Sequence, residues 1–196
     1  MSNLSNTYPV FEDNQVLTSS QLNDLSIYLD QQNRLTRTKL IGVGVLCGLK
    51  PAYDAVTNLL NVTSGSGVTT EGYLLQLAET NFDRYRVYTL ADGVNYPPFI
   101  DPNVSLQYQL FEAIPVGQSV AVGTAVNIDS VFMADKVAVL FTECVDVDLQ
   151  SCLGRSCDDL GINRIFNTRL LLADKAIIDQ MIDDNMLYED KPQQSE

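Results

Sequence analysis

The stretch from Arg34 to Lys50, RLTRTKLIGVGVLCGLK, constrains this chain more than any other. A basic, polar segment runs into ten residues, Leu40 to Leu49, that are all glycine or apolar. Ten such residues are too few to cross a bilayer, which takes about 20. The glycines Gly42, Gly44 and Gly48 are spaced by two and four, whereas a dinucleotide loop needs two and three, after a strand and before a helix. No Gly-Lys-Ser/Thr follows, so a phosphate-cradling P-loop is excluded as well. GSGVTTEG, from Gly65, fails on the same counts. Packing remains. Gly42 is expected to end a helix as its C-cap. Gly44 and Gly48 are expected to let a buried strand lie close to that helix. Cys47 would be a small core residue of the strand.

The segment before this run has helical texture. Thr18-Ser19-Ser20 is a good N-cap cluster. Leu22, Leu25 and Leu29 recur at i, i+3 and i+7, with Tyr28 and Leu35 beside the same face. This predicts one helix over about 18 to 38, preceded by an extended arm. Downstream, short valine, threonine and tyrosine runs punctuated by glycine predict strands at Val43–Leu49, Leu59–Ser64, Tyr73–Ala78, Tyr85–Leu90, Leu106–Phe111, Val137–Thr142 and Arg169–Ala173. Residues 91 to 104 hold three prolines and read as a long loop. Ile177, Ile178, Met181 and Ile182 fall on one side of a short amphipathic helix. The fold class expected is α+β: one long N-terminal helix followed by a β-rich body with short antiparallel strands. Its parts are an arm at 1–16, the helix at 17–41, a β-rich domain at 42–174, and a short helix with an acidic tail or linker at 175–196. That tail carries no stop a compact domain would demand, so the native chain is open to continuation.

The chain of 196 residues has a net charge of −13 and no histidine. The charge argues against nucleic-acid partners, which call for a basic stripe. The missing histidine removes Ser-His-Asp and Cys-His catalysis and every His-ligated metal site. No catalytic, cofactor-binding or metal-binding residues emerge, and no cofactor is expected. Cys144, Cys152 and Cys157 are spaced by seven and four, unlike the paired short spacings of a zinc site. Cys152 and Cys157 bracket LGRS; they could close a small disulfide ring in an oxidising medium or stay as free thiols. Asp146, Asp148, Asp158 and Asp159 miss the calcium-loop pattern and read as a solvated acidic loop. The first residues show neither a basic nor an apolar leader region, so synthesis in the cytoplasm without a signal peptide is expected, with no direct membrane insertion.

Three segments carry a resemblance. PVFEDNQVLTSSQLNDLSIYLDQQNRLTRTKLIGVGVLCGLK and LLNVTSGSGVTTEGYLLQL are similar to the N-terminal module of baseplate- or fibre-associated structural proteins of phage tails and phage-tail-like contractile injection systems. The matching positions are Val16, Leu17, Thr18, Leu22 and Asn23; then Gly42, Gly44, Cys47, Gly48 and Leu49; then Val62, Gly65, Gly67, Val68, Thr69, Gly72 and Tyr73. CLGRSCDDLG with NTRLLLAD is similar to a later part of that module. The resemblance implies a non-catalytic structural subunit of a contractile particle, at its baseplate or a fibre-attachment point, that forms homo-oligomers. Its partners would be copies of itself and other particle proteins of the baseplate, tube or sheath, in a particle open to release from the cell. The arm and the helix, through Leu22, Leu25, Tyr28 and Leu29, are the expected interface. The alternatives are an effector carried by the particle and a carbohydrate-active enzyme using an Asp/Glu pair.

Overall fold

A computed structural model of the chain describes residues 7–90, 96–121, 123–150 and 159–183. It is α+β, with one N-terminal helix and a body of antiparallel sheets. Helix α1 spans Ser19–Thr36. Thr18 caps it: its hydroxyl accepts from the Gln21 backbone N–H, and the Gln21 side chain accepts from the Thr18 N–H. The helix continues as one π turn, Arg37–Ile41, and Gly42 stops it at φ 103° with its N–H donating to the Arg37 carbonyl. That terminating role is the one the sequence suggests.

Ten strands follow: β1 Gly44–Cys47, β2 Pro51–Asp54, β3 Leu59–Val62, β4 Gly65–Val68, β5 Leu74–Leu77, β6 Thr80–Tyr88, β7 Leu110–Pro115, β8 Val126–Asn127, β9 Lys136–Gln150 and β10 Asp159–Asp174. A large sheet has the order β2-β3-β6-β7-β10-β9, with β8 beside β6. A small sheet has the order β1-β4-β5. The two are linked by one device. β1 and β2, β3 and β4, and β5 and β6 are each nearly continuous in sequence, and the pairing β1-β4-β5 repeats the pairing β2-β3-β6. Residues 44–88 thus form a three-stranded ribbon that is bent across its middle.

The bend explains the glycines and corrects the expectation for them. A Cβ on Gly48, at φ 63°, would sit 1.9 Å from the Ser64 carbonyl oxygen. One on Gly65 would meet the Cys47 oxygen at 2.2 Å. These two glycines let adjacent strands cross each other, rather than letting a strand approach the helix. The glycine against the helix is Gly72, at φ 82°, where a Cβ would stand 2.7 Å from the Arg34 carbonyl oxygen. The strand at Gly44–Cys47 is not buried either: Val45, Leu46 and Cys47 are exposed, because β1 is an edge of the small sheet.

Two strands break the expectation of short ones. β9 has 15 residues and β10 has 16, in one register from Lys136↔Asp174 to Asp148↔Ile162. The polar residues of CVDVDLQ belong to β9, so Asp146 is a strand residue and not part of an acidic loop. Polar alternation on an exposed stretch of strand hides it from a hydrophobicity reading.

Apolar clusters lie on both faces of the large sheet. On one, Tyr88, Leu110, Leu171 and Ala173 pack with Phe99 and Tyr108, and with Ile178 and Met181 of α3, Lys175–Asp183. On the other, Leu60, Val62, Phe82, Ala113, Leu170 and Leu172 pack with Ile128, and Phe132 and Met133 of α2, Ser130–Met133, lie against them. Alternate residues of the run Leu170–Ala173 serve opposite faces, which is why all four are apolar.

Candidate assembly surfaces

Helix α1 has no buried residue. Of the expected interface residues, Leu25 and Tyr28 are half-buried, on the side that carries Leu35, and the Tyr28 ring meets Tyr8 of the arm at 5.0 Å. Leu22 and Leu29 face outward, 46% and 51% exposed, with Ile27 beside them at 51%. In the arm Tyr8, Val10, Val16 and Leu17 are more than half exposed.

One cluster fastens α1 to the body. Arg34 reaches the turn between β4 and β5, where its Nη2 lies 2.7 Å from Glu71 Oε2 and its guanidinium stacks 4.3 Å over the Tyr73 ring. Arg37 donates to the Gly72 carbonyl at 3.2 Å. Tyr73 continues the contact to Phe166 of β10, with ring centroids 4.8 Å apart. A side chain at position 72 would block this approach of the helix, since its Cβ would meet the Arg34 carbonyl oxygen. Arginine and tyrosine at these spacings gave no periodic signal, so the fastening is invisible without the fold.

Between the small sheet and the β9–β10 hairpin lies a cleft of about 790 Å³. Its lining is mostly apolar and includes Leu49, Val68, Leu75 and Leu170. It also includes every residue from Ala138 to Asp146, an unbroken run of β9. An unbroken run lines a cleft only when a strand turns its edge to it, because one face would contribute alternate residues. β9 ends the strand order of the large sheet and pairs only with β10 among the described residues.

On the face of the large sheet near its β9 end, four charges form a ladder. Arg86 on β6 bonds Glu112 on β7 at 2.6 Å; Glu112 bonds Arg169 on β10; Arg169 bonds Glu143 on β9 at 2.8 Å. Glu112 is 7% exposed and is the buried charged residue of the described chain. Arg169 thus holds both carboxylates of the ladder, Glu112 and Glu143. Elsewhere Arg164 binds Asp146 with two hydrogen bonds, and this holds the Asp146 carboxyl below its ordinary range. Among the described residues no group of three or more His, Cys, Asp or Glu is placed to hold a metal ion, and no helix is long and apolar enough to cross a membrane.

Cys47 and Cys144 are exposed free thiols. Cys47 Sγ lies 3.4 Å from Ser66 Oγ, and that hydrogen bond lowers the thiol's pKa. The possible disulfide, Cys152 with Cys157, lies outside the described residues, as does Asp158. Set against known proteins, the chain matches no family model and no curated protein.

Proposed function

We propose that this chain is a structural subunit of a phage-tail-like contractile injection particle, placed at its baseplate or at a fibre-attachment point and acting through protein-protein assembly. The observation that carries the assembly reading is α1. An isolated helix of 18 residues is marginal in water, and most helical stability in proteins comes from burying an apolar face. Here the helix buries none of its residues, and its outward Leu22, Ile27 and Leu29 continue into the exposed apolar arm. Such a surface gains stability when a neighbouring subunit covers it. The kind of assembly rests on the resemblance of the segments around Thr18, Gly48 and Gly72. The homo-oligomer expected of a symmetric particle would use this surface in repeated copies.

The test is copy number. Purified particles imaged by cryo-EM should contain the chain at a count that matches their symmetry, and mass photometry of the isolated protein should show an oligomer. A stable monomer that is absent from purified particles would overturn the reading.

A further inference from the structure

We propose that the cleft is a strand-acceptor site: the edge of β9 that is unpaired among the described residues takes one extended basic segment from a different protein, which inserts its apolar side chains between the two sheets. This deepens the assembly reading and rests on it, by giving the partner's chemistry.

The first ground is the edge itself. Exposed sheet edges are normally blunted by lysine, proline, bulges or a cover, because unpaired N–H and C=O groups template further pairing. Residues 137–146, VAVLFTECVD, contain no lysine, arginine, proline or glycine. Their register with β10 has no shift, so no bulge turns the edge away. The other edge of the same sheet, β2, begins with Pro51 and is blunted in the usual way.

The second ground is the space in front of the edge. It is an apolar cleft and not open solvent, so a strand added to β9 would gain main-chain hydrogen bonds and bury alternate side chains against Val68, Leu75 and Leu170.

Charge selects the occupant. The lining has three carboxylates, Glu71, Glu143 and Asp146, and no lysine or arginine. Each carboxylate is already paired with one arginine outside the lining, Arg34, Arg169 or Arg164, so what favours a basic occupant over an acidic one is the chain's net charge of −13. The chain's own arm carries Glu12 and Asp13, and a second copy's β9 would bring the same Glu143 and Asp146. The acidic arm and a second acidic copy are both disfavoured against a basic segment by the chain's overall negative charge.

Two nine-residue peptides test this on the chain as it stands: one alternates valine with lysine, the other valine with glutamate. Fluorescence anisotropy should show the lysine peptide binding at least tenfold more tightly. Hydrogen exchange should slow across residues 138–146 in its presence, and N-methylation of alternate peptide residues should abolish both effects. Val145→Lys, which places a cation in the cleft lining, should weaken the lysine peptide at least tenfold with an unchanged melting temperature. Absence of protection at 138–146 with millimolar lysine peptide overturns the inference, as does equal binding of the two peptides or indifference to Val145→Lys. If those failures occur while particles contain the chain at symmetric copy number, only the strand inference falls. Peptide binding by a chain absent from particles would remove the assembly reading alone.

Discussion

Single residues set the bend and the charge ladder. Gly48 and Gly117 both have positive φ, at 63° and 83°, but only Gly48 has no room for a Cβ. Gly117→Ala should therefore cost only the left-handed backbone penalty, roughly 1–2 kcal/mol, and lower Tm by about 2–8 °C for a chain of this size. Gly48→Ala forces backbone apart at the crossing and should abolish cooperative unfolding; a melting curve like that of Gly117→Ala would refute the crossing. Glu112→Ala leaves Arg86 and Arg169 without their shared carboxylate. The cost should be about 1–3 kcal/mol, read as a lower denaturant midpoint at unchanged slope, whereas Asp146→Ala on the exposed hairpin should leave the midpoint nearly unchanged. The acid limb has a defined sign. Hydrogen bonds hold Asp54, Asp135 and Asp146 below the ordinary carboxylate range, from Thr57, Lys136 and Arg164 respectively. Their stabilisation is complete above that range and is lost as pH falls through the lowered folded values. Tm should fall below about pH 4, and a profile flat from pH 5 to 2 would contradict these pairs.

At the scale of elements, α1 depends on its fastening. Arg34→Ala removes the Glu71 pair and the stack on Tyr73, which are individually worth about 0–1 kcal/mol. The body's Tm should scarcely change, while amide exchange in Ser19–Thr36 accelerates by at least tenfold; unchanged exchange would show that other contacts hold the helix. The helix itself was legible, from its Thr18 cap to Gly42, because capping and the leucine spacing are local. Most strands were legible in position but not in extent. β10 was visible only at Arg169–Ala173, whose Leu170–Ala173 have both faces covered, and its polar half up to Phe166 pairs without burying much. β4 was missed because Gly65-Ser66-Gly67 has the composition of a turn; only the crossing with Gly48 makes it a strand. The candidate surface was half legible. Leu22 and Leu29 face outward as an interface needs, while Leu25 and Tyr28 turn toward the chain's own arm and body. The cleft could not be read at all, since it arises where 138–146 meets a sheet folded over from residues 44–77, and no periodicity encodes that meeting.

For the whole molecule, the resemblance and the fold are independent of each other and bear on different questions. Among the described residues the fold has a helix with no buried residue and an unpaired sheet edge on a strongly acidic chain; the resemblance is the ground for proposing the kind of particle that would cover them. The bent ribbon has a further consequence, for the order in which structure arises. All its pairings lie within residues 44–88, so they close short loops and need nothing from the C-terminal half. β7 joins the ribbon at β6, and the β9–β10 hairpin joins at β7 to complete the sheet. A chain made from its N-terminus can therefore form the ribbon while β9 is still being synthesised, which shortens the time that bare edge spends without its sheet. Pulse-labelled exchange during refolding should protect 59–88 before 136–174; the reverse order would show that the long hairpin, not the ribbon, starts the fold.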